Sequence, residues 1–334
     1  MNPSEVCNFD CLYCRQHTQD RVKGHPFEIE RFMQRLEQSG RTFLVTVSGG
    51  EPFMIPNFIE FAEALTKKHY LRLDTNLSLT EKCRQFSQAI DPERVVEVVF
   101  STHILEREKR KIDIMELVGL VKEFQAKGFK MVGNYVAHPL LLGRLEKDVE
   151  FFGSHGIKVL PNLFRGSYRG KIYSRGWVKT AYSRKELELI ARLNPLALLP
   201  LQSPHGKPCQ AGCAAFYMDE NYEISPCLML RRIIKIGKFF GEWGLFSKVI
   251  RCPRIVCTDQ YNRTLCASLS GLEEGLAYGQ KNAVSACGVA SELQTAVMLV
   301  ATLPRSVKSI VKRIGVKLKR LCTQRHRRGL SEKL

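Results

Sequence analysis

Residues 42–52 read Thr-Phe-Leu-Val-Thr-Val-Ser-Gly-Gly-Glu-Pro. The first seven residues are mostly apolar or β-branched, which is typical of a buried strand. Gly49 and Gly50 follow directly, and glycine pairs are common in turns between a strand and a helix. Such a pair also lets a backbone come close to a ligand, and Glu51 can accept a hydrogen bond from an ammonium group. The stretch therefore predicts either a simple turn or a binding site at a strand end.

Strand-like runs alternate with longer segments of helical period along the chain from this stretch onward. Strands are predicted at residues 42–48, 71–76, 95–101, 129–136 and 157–160. Helices are predicted at 56–69, 80–90, 113–127, 145–155 and 183–193, where apolar residues recur three or four apart. Gly128 and Gly156 stand where helix C-caps are expected. The alternation predicts an α/β fold with a parallel sheet, whose carboxyl edge is where binding sites form.

The composition indicates a folded protein. A chain of 334 residues with 44% hydrophobic residues is long enough for one large domain and a smaller one. Its start lacks the charged, apolar and small-residue pattern of a secretion signal, so a cytoplasmic location is expected. In that reducing compartment, the twelve cysteines favour metal binding or redox chemistry over disulfides.

Three of the cysteines form a Cys7-x3-Cys11-x2-Cys14 motif. This spacing lets one loop wrap a single iron–sulfur cluster, for which thiolates are the preferred ligands. Three ligands leave the fourth iron of a cubane open, as a reactive metal centre requires. The alternative is a zinc site with His17 or His25 as the fourth ligand, although the paired spacings of zinc sites are missing.

The motif, with Tyr13 before its last cysteine, resembles the signature of the radical S-adenosylmethionine (SAM) superfamily. Ser48-Gly49-Gly50-Glu51-Pro52 looks like the GGEP motif of the same family. The resemblance implies a partial (β/α)6 TIM-type barrel, a [4Fe–4S] cluster on the three cysteines, SAM on the open iron, and a reductant such as flavodoxin or ferredoxin. The cofactor-binding residues that it implies are Tyr13, Ser48, Gly49, Gly50, Glu51, Pro52, Asn76 and Ser101.

Three details of this resemblance leave alternatives open. Asn76 and Ser101 end predicted strands, where each is either a SAM contact or a turn or cap residue. His103 follows closely and is either a substrate base or a structural histidine. Only residues 1–6 precede Cys7, where the family has its first barrel strand. Either that strand is very short, or the natural chain starts further upstream.

A second group of cysteines lies within residues 209–266, around a predicted hairpin turn at 219–222. This group resembles the SPASM/twitch extension of radical SAM enzymes and implies a second [4Fe–4S] cluster. Its implied ligands are Cys209, Cys227, Cys252 and Cys257, with Cys213 and Cys266 as substitutes. One alternative is a structural zinc site. Another is a molybdopterin-precursor-type cyclase, whose spacing is near Cys209-x3-Cys213-x13-Cys227 but whose terminal diglycine is replaced by Glu332-Lys333-Leu334.

The end of the chain is strongly basic. Residues 304–334 hold eleven Lys and Arg and one acidic residue. The net charge of this segment, +10, is more than half of the formal net charge of +18. Apolar residues at helical spacing predict a basic amphipathic helix over 304–321, suited to an anionic membrane surface, an acidic partner or RNA. The alternative is a helix packed on the barrel. The sequence has no nucleic-acid motif and no run of eighteen apolar residues, so neither a specific nucleic-acid partner nor a membrane span is predicted.

The expected organisation has three parts: a radical SAM core at 1–195, an auxiliary-cluster module at 196–267 and a C-terminal extension at 268–334. The resemblance implies reductive cleavage of SAM to a 5′-deoxyadenosyl radical, which abstracts hydrogen from a peptide, a protein or a sugar-type molecule and so oxidises or modifies it. The residues that act on the substrate are not assigned. A non-enzymatic iron–sulfur or zinc protein is the alternative from another class, and the GGEP motif argues against it.

Overall fold

The computed structural model describes residues 1–14, 25–173, 180–201, 205–206 and 208–254. Its centre is a five-stranded parallel sheet in which neighbouring strands follow one another along the chain. The strands are β1 (Leu44–Val47), β2 (Tyr70–Thr75), β3 (Val95–Ser101), β4 (Met131–Ala137) and β5 (Val159–Leu163). All five predicted strands are confirmed, and their sequential parallel order is that of a partial TIM-type barrel.

Helices alternate with these strands. They are α1 (Ile29–Glu37), α2 (Phe58–Thr66), α3 (Thr80–Ala89), α4 (Ile104–Arg110), α5 (Ile114–Ala126), α6 (Leu145–Ser154) and α7 (Arg184–Leu193). Gly128 and Gly156 take φ angles of 95° and 70° after α5 and α6, as expected for residues that end a helix. The five predicted helices are confirmed, whereas α1 and α4 are additional to them.

The two faces of the sheet differ in chemistry. Alternate residues of β2 to β5, such as Leu73 and Phe100, are buried in the core beneath the helices. The residues between them are half-buried on the opposite face and include Arg72, Asp74 and Ser101. Because side chains alternate along a strand, these polar residues lie on the inner face of the partial barrel.

Residues 1–6 run alongside β1 and continue the sheet at its edge. The Met1 carbonyl accepts a hydrogen bond from the Ser48 N–H at 3.0 Å, and the Val6 carbonyl accepts one from the Glu51 N–H at 2.9 Å. These bonds follow both segments in the same direction, so residues 1–6 occupy the place of the first barrel strand. The expectation of a very short first strand agrees with this arrangement.

Residues beyond β5 form short strands. They are β6 (Gly166–Tyr168), β7 (Lys171–Tyr173), β8 (Pro208–Cys209), β9 (Tyr217–Met218), β10 (Glu223–Ser225), β11 (Gly237–Lys238) and β12 (Ile250–Arg251). The predicted turn joins β9 to β10: Asp219 Oδ1 accepts from the backbone of Asn221 and Glu223, and Tyr222 takes the left-handed φ of 57°. Met218, in β9, belongs to the same core as the main sheet. The domain boundary at residue 195 therefore stays a prediction.

Some predicted features lie outside the described residues. They are His17, Cys257, Cys266 and the basic helix at 304–321. Among the residues that the structure describes, no helix is long and apolar enough to cross a lipid bilayer.

Candidate functional site

The first cysteine motif lies on a loop of residues 7–14, named the cysteine loop below, which begins where residues 1–6 leave the edge of the sheet. Cys11 is buried, at 5% exposure, whereas Cys7 and Cys14 are partly exposed. The Cys14 N–H donates to the Cys11 carbonyl at 2.9 Å, and the Phe9 N–H donates to Cys7 Sγ at 3.4 Å. The loop therefore folds back on itself and brings three thiols to one end of the barrel.

The surroundings of these thiols fit an iron–sulfur cluster. Asn76 Nδ2 lies 3.7 Å from Cys7 Sγ, and His103 Nδ1 lies 3.3 Å from Cys11 Sγ. Nitrogen donors aimed at ligand sulfur are a usual feature of cluster sites. Burial, together with the nearby charges of Glu106, Cys14 and Cys7, raises the pKa of the Cys11 thiol. Positive iron would offset that cost, because metal binding requires the thiolate form.

The structure does not support the zinc alternative with His25. His25 lines a small cavity with Met1, Pro3, Met218 and Tyr222. Pro3 precedes Cys7 by four residues, which span roughly 13 Å of extended chain. Within the described ranges, no three His, Cys, Asp or Glu side chains converge on a single metal ion. A cubane does not need such convergence, since each cysteine binds a different iron.

The glycine pair of the 48–52 motif has a packing role. A Cβ atom on Gly50 would overlap the Val6 carbonyl, and one on Gly49 would overlap Asn2 and the Ser4 carbonyl. In the structure, these glycines permit a close approach of residues 1–6, while their contact with SAM stays a prediction. The sequence motif and the first segment of the chain form one unit.

Glu51 is the anchor of this unit. Its carboxylate is 1% exposed and accepts hydrogen bonds from Thr75 Oγ1 at 2.7 Å, the Asn76 N–H at 2.7 Å and the Phe53 N–H at 3.2 Å. Burial raises its pKa to about 7. The carboxylate joins the end of β1 to the end of β2, while its contact with the SAM ammonium group stays a prediction. Pro52 begins the short 3-10 helix Pro52–Met54 that follows.

Glu51→Ala is expected to lower the free energy of unfolding by about 2–4 kcal/mol, because three buried donors lose their acceptor. It is also expected to weaken SAM binding while both clusters remain. Glu51→Gln keeps one acceptor oxygen and should lose less stability. Denaturant unfolding and equilibrium SAM binding under anaerobic conditions measure the two effects. Glu63→Ala, on the exposed face of α2, is the control. Wild-type stability and affinity in Glu51→Ala would remove the carboxylate from both roles.

The remaining predicted SAM contacts lie at neighbouring strand ends. Asn76 is buried and donates to Asn8 on the cysteine loop at 2.9 Å. Ser101 is half-buried at the end of β3 and lies opposite Asn134 of β4, whose Oδ1 accepts from Asn162 Nδ2 at 2.8 Å. These groups form a polar row across three strands on the inner face. Their contacts with SAM stay predictions.

Tyr13 packs between two histidines. Its ring stacks on His103 with centroids 5.9 Å apart and lies 5.9 Å from His138, and its hydroxyl is 3.1 Å from His103 Nδ1. Burial raises the pKa of the Tyr13 hydroxyl, so the phenol stays neutral. The structure places Tyr13 against the wall of the barrel, and its predicted contact with SAM is untested.

Helix α4 is the part of the site that sequence reasoning missed. Glu106, 3% exposed, accepts from the Asp10 N–H at 3.1 Å and pairs with Arg110. Arg107, 2% exposed, donates to the Thr102 carbonyl at 3.1 Å and to the Asn76 carbonyl, and lies over the ring of Phe9. This short helix is apolar only at its start, so it lacks the hydrophobic period that predicts a helix. Its buried charged residues therefore could not be predicted from the sequence.

Three predicted ligands of the second cluster lie together. Cys209, Cys227 and Cys252 are buried in one small group with Ala211, Leu230 and Ile250, separate from the main core. The pairing of β8 with β12 sets Cys209 opposite Ile250, which precedes Cys252 by two residues. Cys213 is partly exposed and lies outside this group. The ligand set stays a prediction, since Cys257 lies outside the described residues.

Comparisons with known proteins agree with this arrangement. Residues 1–152 match the family model described as the radical SAM superfamily. No curated protein matches the chain significantly. Streptococcus suis SuiB bound to S-adenosylmethionine is similar in structure, with a TM-score of 0.53, 16% identity and coverage of 72% of this chain and 63% of SuiB. For SuiB bound to the precursor peptide SuiA, the values are 0.52, 16%, 72% and 62%.

A second similar structure is that of anSMEcpe with bound AdoMet and the Cp18Cys peptide. Its TM-score is 0.53 at 16% identity, and the alignment covers 72% of this chain and 77% of anSMEcpe. At these identities the likeness concerns the fold, and the chain spans less than two thirds of SuiB. The match of residues 1–152, the parallel sheet and the cysteine loop at its edge lead to one conclusion. Residues 1–152 of the chain form a radical SAM superfamily domain.

Proposed function

We propose that the chain is an enzyme that cleaves SAM reductively and modifies a peptide or protein. The observation that supports the proposal is the attachment of the cysteine loop to the carboxyl edge of the sheet. Asn76 at the end of β2 and His103 after β3 each bring a nitrogen to a cysteine sulfur. In this proposal, Cys7, Cys11 and Cys14 bind three irons of a [4Fe–4S] cluster and leave the fourth iron to SAM.

When bound, the cluster supplies one electron to SAM, whose sulfonium–C5′ bond breaks to give methionine and a 5′-deoxyadenosyl radical that abstracts a hydrogen atom. An electron carrier of the flavodoxin or ferredoxin type would provide that electron. The chain itself supplies orientation and excludes water. Residues 48–52, Asn76 and Ser101 lie at the edge of the sheet where SAM is proposed to bind, and Tyr13 lies beside them on the cysteine loop.

A second cluster is part of the proposal. The buried group of Cys209, Cys227 and Cys252 supports it, because three thiols in one small apolar group suit a closed cluster once a fourth ligand is added. Cys257 is the proposed fourth ligand. A fully ligated cluster of this kind would accept an electron from the substrate radical, which makes the net reaction an oxidation.

A peptide is the proposed substrate class. Asn134 and Asn162 present amide groups on neighbouring strands of the inner face. Amide groups both donate and accept, so they can pair with the N–H and C=O groups of a peptide backbone, as they can with the hydroxyls of a sugar. The SuiB and anSMEcpe structures contain a precursor peptide and a Cp18Cys peptide, respectively.

The test is SAM turnover with candidate substrates after anaerobic reconstitution and dithionite reduction. Short peptides encoded beside the gene are compared with sugar alcohols, and both 5′-deoxyadenosine and the substrate mass are followed. The proposal predicts slow 5′-deoxyadenosine formation without substrate, and stimulation together with loss of hydrogen from one peptide. Oxidation of a sugar alcohol with no change in any peptide would contradict the peptide assignment. Absence of 5′-deoxyadenosine from iron-loaded protein would contradict the enzymatic proposal itself.

A further inference from the structure

His103 stands at an unusual backbone position beside the cysteine loop. It precedes α4 with φ 44° and ψ 43°, in the left-handed region that bulky residues seldom adopt. A non-glycine residue persists in this conformation only where the surrounding contacts keep it in place. Those contacts come from the cysteine loop.

The imidazole meets that loop on three sides. Its Nδ1 atom lies 3.3 Å from Cys11 Sγ and 3.1 Å from the Tyr13 hydroxyl. Its ring stacks on Tyr13 and meets the edge of Phe9 at a centroid distance of 5.7 Å. Residues 92 positions apart in sequence are therefore in direct contact, and the sulfur that His103 reaches is the most buried of the three.

The protonation of the ring follows from the state of Cys11. A ligand thiolate has no proton and can only accept a hydrogen bond, so a nitrogen at 3.3 Å must be the donor. That requirement places the N–H of the neutral imidazole on Nδ1, and the Tyr13 oxygen can share the same proton. Metal-binding sites commonly use a neighbouring group in this way to fix a ligand and adjust its electronic properties.

We propose that His103 is a positioning residue that donates its Nδ1–H to the Cys11 sulfur and raises the reduction potential of the SAM-cleaving cluster. Hydrogen bonds to ligand sulfur stabilise the more negative, reduced state, so their removal lowers the potential. This inference rests on the proposed function, because it requires Cys11 to be a cluster ligand. The inference concerns Nδ1 only, so the substrate-base alternative, which would use Nε2, stays a prediction.

Two substitutions separate the hydrogen bond from the packing of the ring. His103→Asn keeps a nitrogen donor at the same number of bonds from Cα and tolerates the left-handed conformation, but loses the ring. His103→Phe keeps an aromatic ring and loses the donor. Iron content and a redox titration followed by electron paramagnetic resonance of the reduced cluster are measured for the wild type and both variants.

The expected result is a more negative midpoint potential in His103→Phe at unchanged iron content, with several-fold less cluster reduced at a fixed dithionite potential. His103→Asn should remain near the wild-type potential. A wild-type potential in His103→Phe together with a shifted one in His103→Asn would overturn the proposal in favour of ring packing. Equal potentials in all three proteins would overturn it as well.

A measurement on the wild-type protein decides the matter if His103→Phe does not fold. Protein labelled with 15N-histidine should show a weak hyperfine coupling between a histidine nitrogen and the reduced cluster, and His103→Asn should lack it. Absence of that coupling from the wild type would overturn the inference. Failure of the proposed function looks different, because the wild type would then bind no cluster or form no 5′-deoxyadenosine.

Discussion

Replacing Cys7, Cys11 and Cys14 together by alanine is expected to abolish 5′-deoxyadenosine formation and to lower the iron content from about eight to about four per chain. The three thiols share one loop, and the triple substitution removes every protein ligand proposed for the first cluster. Iron and sulfide analysis after anaerobic reconstitution measures the loss of iron. Chromatography of the SAM products measures the loss of 5′-deoxyadenosine.

Two variants serve as controls for this result. Cys83→Ala removes a buried cysteine of α3 that lies outside both cysteine groups, and it should keep all the iron. Replacement of Cys209, Cys227 and Cys252 should also leave about four irons, but with SAM cleavage intact. Zinc in place of iron in the anaerobic wild type, or unchanged iron in the first triple variant, would contradict the assignment of the clusters.

Features encoded within a few residues could be predicted from the sequence. Cys7, Cys11 and Cys14 share one loop, and the strand at 42–48 is followed at once by its glycine turn, so spacing alone identifies both. The helix-ending role of Gly128 belongs to the same class. Helix α1 has apolar residues at positions 29, 32, 33 and 36, so its helical spacing was also available from the sequence.

Features that depend on contacts between distant segments could not be predicted in this way. The partner of Gly50 is Val6, and the partner of Cys11 is His103. Neither pairing leaves a periodic trace, because each depends on how the whole sheet closes. The buried charges of α4 even contradict the rule that charged residues face water. These charged residues are buried because they contact the cysteine loop. Glu106 accepts a hydrogen bond from the loop backbone, and Arg107 lies over the aromatic ring of Phe9.

The edge segment explains why the two sequence motifs act together. Residues 1–6 hydrogen-bond to the backbone of 46–51 and lead directly into Cys7. Backbone pairing therefore fixes the distance between the cysteine loop and the 48–52 motif. A change that separates these two segments should disturb cluster binding before it disturbs the rest of the barrel.

Gly50→Ala is such a change, and we expect it to reduce iron in the first cluster and to slow 5′-deoxyadenosine formation about a hundredfold. The added Cβ would occupy the position of the Val6 carbonyl, so Val6 and Cys7 must move away from β1. Overpacking of this kind costs roughly 1–3 kcal/mol, which the fold can tolerate. Gly119→Ala is the matched control, because a Cβ there meets nothing within 4 Å in helix α5.

The iron content of Gly50→Ala separates two roles of the glycine. If Gly50 serves mainly to bring residues 1–6 against the motif, the variant loses iron and the affinity for SAM falls as a consequence. If it serves only to admit SAM, the iron stays at the wild-type level and SAM binding alone weakens. Gly119→Ala should keep full activity and gain up to about 1 kcal/mol of stability, since alanine favours a helix over glycine. Full iron and full activity in Gly50→Ala would contradict the packing of residues 1–6 against β1.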